Sequence, residues 1–583
     1  MSDYVLGISA QFHDAAAALV RDGEIVAAAA EERFSRIKHD SALPFRAAKW
    51  CLEHEGIRPD DLAAVVFHEK PLRKFERLMI TQINAFPRSL EAFRRTALSW
   101  FPDKLWVRGA LAKGLGIDAR KVIFSDHHLS HAASAFYTSP FEEAAVLAVD
   151  GVGEWASTAL FDASRNGIER LSEIHFPHSI GLVYSAFTAY LGFQVNDGEA
   201  KVMGLSSYGQ PRYVDEVRKI LRSSETDGIT VDLSYVTYQH SATQSFSARF
   251  EQLFGPARSG DARLDITTPE GRRYADIAAS LQAVAEDCVV DLANGLQRQT
   301  GRTDLCLAGG VALNSVINAR LTSRTQFKRV FVHPAPGDDG CAAGAALWAW
   351  NEVLAGRRGP ALTRPGLGKA WSNGEIAKLL ADLDIKHTAF DDEDAMIASV
   401  VDDLVDGKVA GWFQGRFEWG PRSLGHRSIL ADPTRPEMTE RINRKIKFRE
   451  QFRPFAPAVL QGHEDAYFEM APGTELLMPW MLGVFPVKDG ARALLPSTTH
   501  VDGSARVQSV DDLANPLFQR LLIAFGRATG HPVLLNTSFN LKGEPIVTSP
   551  LQALRTFYSS ELDVLYLGNF RVINTAIGKH FYE

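Results

Sequence analysis

"YVLGISAQFHDAAAALVRDGEIVAAAAEE", residues 4–32, is three short apolar runs broken by Gly and Asp. Such punctuation predicts a strand, a tight turn, a second strand, another turn at "RDG", and a third strand. The same plan recurs at residues 145–173, "AVLAVDGVGEWASTALFDASRNGIERLSE". There an apolar strand ends in a polar loop, "STALFDA" forms the second strand, and "RNG" turns into the third. Each hairpin is followed by helical material, "SALPFRAAKWCLEHEGI" (41–57) after the first and "YADIAASLQAVAEDCVVDLANGLQRQT" (274–300) after the second, with apolar residues at helical spacing.

A duplicated hairpin lobe with crossover helices is the plan of actin-like and sugar-kinase ATPases, which clasp a nucleotide between their lobes. The expected fold class is α/β, with this duplicated domain over residues 1–360. A Gly, Pro and basic stretch at 356–372, "GRRGPALTRPGLGKAWS", interrupts the helical pattern and marks a boundary. Beyond it, helices such as "GEIAKLLADL" alternate with strands such as "VAGWFQG", "PVLLN" and "VLYLG", so 365–583 is expected to be a second α/β domain.

The bulk properties exclude several classes. At 583 residues, 45% apolar and 23% charged, the chain is globular and too long for one core. Its net charge of −7 argues against a surface that grips nucleic acid or anionic membrane throughout, although local basic patches remain open. The start "MSDYVLGISAQFHD" lacks the basic and apolar regions of a secretory signal, and no run approaches a membrane span, so a cytoplasmic protein is expected. The four cysteines, Cys51, Cys288, Cys306 and Cys341, have no C-x-x-C spacing; neither a disulfide framework nor a cysteine zinc site is signalled.

Chemistry concentrates in a few stretches. In "SDHHLSHAASAFY", Ser125 or Asp126 can cap a helix whose His127 and His131, four apart, project from one face and can share a metal, while His128 points elsewhere. Alone, such a pair more often belongs to a capped surface helix. The strand before "DGVGEW" ends at Asp150, and "VFVHPAPGDDGCAAG" places Asp338 and Asp339 before a helix of small residues. Strand-end carboxylates from two lobes face one cleft, and two imidazoles with one or two carboxylates suit Fe, Mn or Zn. "LCLAGGVALN" is strand, Gly-Gly, helix: Gly309 and Gly310 let a nucleotide approach, with Asn314 beyond. "NDGEAKVMGLSSYG" reads as a ligand-contacting loop carrying Glu199 and Lys201.

In the second domain, "ERINRKIKFREQFRPFAP" carries Arg441, Arg444, Lys445, Lys447, Arg449 and Arg453, and "GRFEWGPRSLGHRSILADP" adds Arg416, Arg422 and Arg427. Arg506 and the polar group Asn536, Ser538 and Asn540 follow later. A small-molecule phosphate pocket is preferred here to a nucleic-acid surface or a solvated helix face.

Together "HDAAAALVRDGEIVAAAAEERFSRIKHD", "HHLSHAASAFY", "AVDGVGEW", "GEAKVMGLSSYG", "AGGVALN", "WFQGRFEWGPRSLGHRSILADP", "FRPFAPAV" and "NTSFNLKGEP" resemble the O-carbamoyltransferases of antibiotic and nodulation-factor pathways across nearly the whole chain. The resemblance implies an actin-like first domain related to tRNA threonylcarbamoyl-transfer enzymes and a YrdC-like second domain. The second would make carbamoyl adenylate from carbamoyl phosphate and Mg-ATP. The first would pass the carbamoyl group to a hydroxyl of a small-molecule acceptor, releasing AMP.

Carried over by motif, His127, His131, Asp150 and Asp338 would ligate a metal, iron(II) in that family, with Asp338 chosen over Asp339 by aligning "DDGCAAG". Gly309, Gly310, Val311 and Asn314 would hold the adenylate. Glu199 and Lys201 join the nucleotide-side candidates. His13 and Lys38 would contact the carbamoyl group or acceptor, with His13 the candidate base. Lys445, Arg449, Arg453, Arg506, Asn536 and Ser538 would bind carbamoyl phosphate and nucleotide, Arg449 and Arg506 as catalytic groups. Ser206 departs from the alanine of the family's motif. Neither nucleic acid nor membrane is expected as partner, and the sequence carries no signal for the acceptor or the oligomeric state. The competing readings are a threonylcarbamoyl-type tRNA enzyme and a non-catalytic ATP sensor.

Overall fold

The computed structural model describes residues 3–226, 228–260, 264–450 and 452–574. The chain divides into two compact units, Met1–Val26 with Ser41–Ala361, and Ala27–Asp40 with Leu362–Glu583. The return to the second unit at Leu362 falls within the Gly/Pro stretch. Sequence reading did not anticipate that 27–40 would join the second unit. Its reason is non-local: Ala28 N–H donates to Leu367 O at 3.1 Å, Arg33 to Gly420 O at 2.8 Å, and Arg36 to Pro545 O and Ile546 O, each at 2.7 Å.

The first unit is built on two five-stranded sheets. The first contains β1 (Tyr4–Ser9), β2 (Ala16–Arg21), β3 (Glu24–Ala30), β4 (Leu62–Phe67) and β5 (Val122–Phe124), in the order 3-2-1-4-5. β2 runs antiparallel to β1, while β4 and β5 continue parallel. The second contains β6 (Ala144–Val149), β7 (Ala156–Ser164) and β8 (Gly167–His175), then, after a ribbon of β9 (Leu221–Ser224) and β10 (Gly228–Val231), β11 (Asp304–Ala308) and β12 (Arg329–Val332). Its order is 8-7-6-11-12, with β6 antiparallel to β7 and parallel to β11. The two sheets are topological copies, as the repeated hairpins predict, and this is the duplicated actin-like plan. β1, β4, β6 and β11 are nearly continuous apolar runs because helices cover both faces.

Two buried helices, His127–Thr138 and Asp338–Trp348, pack against each other in the middle of this unit. Gly344 makes the contact possible: a Cβ there would lie 1.8 Å from Ser130 O. Only glycine admits that approach, which holds the start of one helix beside the histidines of the other.

The second unit is one nine-stranded mixed sheet. Its strands are β13 (Thr388–Ala389), β14 (Ala410–Phe413), β15 (Arg427–Ala431), β16 (Ala456–Leu460), β17 (Gly483–Pro486), β18 (Ser504–Val510), β19 (Val533–Ser538), β20 (Val564–Leu567) and β21 (Phe570–Ile573). They lie in the order 13-21-20-14-15-19-16-18-17. Separate apolar clusters pack on it, one centred on Phe413, Leu535 and Phe557, the other on Trp412, Phe518 and Phe525. β15, β16, β18 and β19 are neighbours, which gathers Asn536, Ser538 and Arg506 toward one region.

Candidate functional site

In the first unit Asp126, rather than Ser125, caps the helix His127–Thr138, accepting from Leu129 N at 3.3 Å. One helical turn separates His127 from His131, so both Nε2 atoms meet the carboxylates at the ends of β6 and of the β12 loop. His127 Nε2 lies 3.1 Å from Asp150 Oδ2 and 3.6 Å from Asp338 Oδ1; His131 Nε2 lies 3.5 Å from Asp338 Oδ1 and 3.9 Å from Asp150 Oδ2. Asp338 is buried in the first turn of its helix with its carboxylate toward the histidines, whereas Asp339 accepts from its neighbour Gly340 N at 3.0 Å. Gly310 N donates to Asp150 Oδ1 at 3.0 Å, which leaves Oδ2 for the histidines.

These four side chains are buried, and His131 Nε2 and Asp338 Oδ1 have no hydrogen-bond partner among the described residues. Unsatisfied buried polar atoms facing one point are costly unless a ligand meets them. Two imidazole nitrogens and two carboxylate oxygens fit a divalent transition metal. Without a cation, burial alone would lower the His131 pKa, but Asp150 and Asp338 outweigh it and push it up to about 9. Cys341 also lies within the cluster. Burial holds its thiol proton on, and the thiol points to His127 O at 4.0 Å.

The surrounding shell was not read from the sequence. Glu69, at the end of β4, sits 3.7 Å from His127 Nδ1 and is gripped by Lys74 at 2.7 and 3.0 Å. Glu154 accepts from His127 N at 3.2 Å and from Lys70 N at 2.9 Å. Burial, then Asp126, raises the Glu154 pKa to about 7. Partners of this kind fix ligand orientation. The available signal for Glu69 was an acid directly after an apolar strand, the same signal that marked Asp150. His128 is buried as well, and neither of its ring nitrogens has a hydrogen-bond partner among the described residues.

Of the other candidates, His13 lies beside the cluster, its Nε2 3.9 Å from Asp338 Oδ2 and its Nδ1 2.9 Å from Asp14 Oδ2. Gly309 adopts φ +90°, and a Cβ there would meet Val149 O at 2.1 Å. Val311 lies in the short turn Gly310–Leu313 that follows. Asn314 caps the next helix and pairs with Gln282 at 2.9 and 3.2 Å. The segment read as an irregular loop forms a helix, Glu199–Ser206. Glu199 and Lys201 do not pair with each other: Glu199 accepts from Ser185 Oγ at 2.8 Å, and Lys201 lies 3.5 Å from Asp197.

The second unit gathers a different kind of site. Arg453 lies close enough to Lys447, Arg449, Arg422 and Arg506 to lower the pKa of each. Burial, followed by Arg422, Arg449 and Arg453, holds Arg506 well below the ordinary arginine range. Arg422 is pushed down to about 10 by burial and Arg453. Lys447 is lowered by burial and then by Arg449, Arg453 and Lys38, so Lys38 belongs electrostatically to this group. Glu450 lies 3.9 Å from Arg453. Lys447 Nζ donates to Ser538 Oγ at 3.0 Å and to Asn540 Oδ1 at 2.7 Å, and Arg449 Nε to Asn443 Oδ1 at 2.7 Å. Buried Asn536 donates to Gln508 Oε1 at 2.7 Å and leaves its own Oδ1 without a partner among the described residues.

Lys445 is exposed and pairs with Glu561 at 3.2 Å, while Lys447, just after the π-helical turn Ile442–Ile446, is buried. Arg416 and Arg427 are structural, donating to Leu367 O at 2.6 Å and Gln414 O at 2.6 Å respectively.

Comparison with known proteins follows the same division. Residues 4–347 match the family described as carbamoyltransferase N-terminus, and 401–574 the carbamoyltransferase C-terminus. The uncharacterized protein sll1178 of Synechocystis is 43% identical over 98% of this chain and 97% of its own. Nodulation protein NolNO of Sinorhizobium fredii is 36% identical over 96% of this chain and 79% of its own. Among solved structures, component A of (R)-2-hydroxyglutaryl-CoA dehydratase from Acidaminococcus fermentans is 15% identical, with TM-score 0.34, over 60% of this chain and 99% of its own.

Proposed function

The chain belongs to the carbamoyltransferase family, and from that premise we propose that it is an ATP-dependent O-carbamoyltransferase whose two half-reactions are divided between its units. Among the described residues, no helix is long and apolar enough to cross a membrane. A carbamoyltransferase needs a carbamoyl donor and an acceptor; the donor assigned here is carbamoyl phosphate, activated with Mg-ATP in the second unit.

The observation that carries this reading is the group of partly buried Arg422, Arg449, Arg453 and Arg506 around the buried Lys447. Like charges crowded out of water are stable only with an anionic ligand, and guanidinium forks orient phosphate groups. Water cleaves carbamoyl phosphate to carbamate and phosphate. A carbamate oxygen then attacks the α-phosphorus of ATP, a P–O bond forms, and pyrophosphate leaves with the bond it breaks. The arginines hold both anions and offset the charge of the departing pyrophosphate.

In the first unit the acceptor hydroxyl attacks the carbamoyl carbon, AMP departs, and the hydroxyl proton passes to a base, assigned to His13 Nε2. Asp14 on Nδ1 fixes that ring's orientation. His127, His131, Asp150 and Asp338 fit a divalent metal, with iron(II) the assignment and Mn or Zn the alternatives. When bound, it supplies Lewis-acid polarisation. Gly310 N–H and Glu69 keep the carboxylate and imidazole facing inward. The Gly309–Asn314 turn is assigned to the adenylate.

The test is incubation with carbamoyl phosphate, ATP and magnesium, without acceptor. Pyrophosphate and carbamoyl adenylate, followed by mass spectrometry, are expected. ATP binding without either product would sink the reading in favour of the ATP sensor.

A further inference from the structure

A helical segment between β4 and β5 is built inside out. In the helix Pro71–Asn84, Lys74, Arg77 and Gln82 are buried, while Leu72, Ile80 and Ile83 are 72%, 41% and 64% exposed. Lys74 and Arg77 face inward because Glu69 and Glu154 lie there. The next helix, Leu90–Trp100, exposes Leu90, Phe93 and Leu98, with Phe101 just beyond, at the i, i+3, i+8 and i+11 positions of one face. Phe86 and Trp106 are 68% and 65% exposed. Of twenty-two exposed large apolar side chains among the described residues, nine fall between Leu72 and Trp106. Such concentration marks a surface that meets something apolar.

Charge decides what. Residues 70–113 hold ten Lys and Arg against three Asp and Glu, within a chain whose total is −7. Arg73, Arg88, Arg94, Arg95, Arg108 and Lys113 are exposed. The two helices brace each other through Gln82 and Thr96 at 2.7 Å and through Phe75 against Trp100 at 5.7 Å. Their apolar side chains therefore face out from a fixed frame.

We propose that this insert is a membrane-docking surface, seating its apolar face at the interface of an anionic lipid bilayer with arginines at the headgroups. Exposed Leu, Ile, Phe and Trp rimmed by Arg and Lys is the composition of an interfacial helix. A symmetric pair of copies would set this basic patch against itself, which disfavours a second copy as occupant.

The test is sedimentation of the full chain with vesicles of phosphatidylcholine alone, or with about a third phosphatidylglycerol, at low and high salt. Salt-sensitive binding to the anionic vesicles alone is expected. Ile83→Glu with Leu98→Glu should abolish it at an unchanged unfolding temperature, since both side chains are solvent-exposed. Arg88→Gln with Arg94→Gln should weaken it about 30-fold, two cations each contributing about 1 kcal/mol. Equal binding to neutral vesicles, binding to neither, binding to RNA in place of vesicles, or a Glu variant that only halves the protein's mass in solution would each overturn the proposal.

Discussion

Replacing Arg506 by methionine should stabilise the ligand-free protein while stopping its first half-reaction. Arg506 is penalised by burial and by Arg422, Arg449 and Arg453, and its buried Nε has no hydrogen-bond partner among the described residues. Arg422, brought to about 10 by burial and Arg453, calibrates the cost: about 3 kcal/mol against the charged form. Arg506 has more cationic neighbours, so its penalty is no smaller. Methionine keeps an apolar stem and removes the charge. Relaxation of the neighbours in the wild type and lost packing in the variant leave a net gain of about 1–2 kcal/mol, a rise in unfolding temperature of roughly 4 °C. Mg-ATP at about a hundred times its dissociation constant stabilises the wild type by about 3 kcal/mol, and the variant should lose most of that increment. Loss of a charge aimed at the departing phosphates costs about 10²–10³ in rate. Thermal unfolding with and without Mg-ATP, beside a pyrophosphate-release assay, reads both effects. A variant that melts lower without ligand and still releases pyrophosphate at the wild-type rate would refute the reasoning.

Other perturbations separate the units and their shells. His131→Ala should remove acceptor carbamoylation and leave pyrophosphate release intact; loss of both from a folded protein would break the division of labour. Lys447→Met should lower pyrophosphate release about 10²-fold or more, whereas Lys445→Ala should leave it within about twofold, and the reverse order would restore the sequence reading of that helix. Glu154, raised from 4.5 to about 7 by burial and Asp126, keeps its proton in the folded state after the unfolded chain has lost it. Stability therefore falls as pH rises from about 4.5 to 7, by about 3 kcal/mol, and denaturant titrations of Glu154→Gln should lack that slope.

What the sequence disclosed was local. The hairpins were legible because Gly and Asp turns punctuate runs of strand length, and their repetition revealed the duplicated sheets. His127 and His131 were legible because four residues make one turn of a capped helix. Asp338 and Asp339 both open a helix, and it is the packing of that helix against the histidine helix, close at Gly344, that sets Asp338 beside the imidazoles. Lys445, carried over by motif, stands exposed beside Glu561, and Lys447 is the buried lysine of that stretch. Residues 27–40 were assigned to the wrong unit because their hydrogen bonds reach partners more than three hundred residues away. Glu69 and Glu154 were missed because only folding brings them to His127 from other elements, even though Glu154 lies in the same stretch as Asp150.

The two candidate sites differ in how their charge is balanced, and that difference bears on what each is for. In the first unit each imidazole faces a carboxylate, so the cage nearly balances itself and its unmet atoms ask for one cation of coordinating character. In the second unit burial and neighbouring arginines lower the proton affinity of Arg422, Arg449 and Arg506, while Glu450 lies 3.9 Å from Arg453. Lys447 is satisfied by oxygens of Ser538 and Asn540, but those are neutral and leave its charge uncancelled. Folding gains nothing from such crowding, since uncharged side chains of similar volume would pack at lower cost. The crowding fits the ligand binding proposed above, in which phosphate-bearing substrates would bring negative charge to this group and release of pyrophosphate would partly restore the repulsion. A pocket balanced by its own carboxylates would hold the same substrates more weakly and compete with their phosphates for the arginine forks.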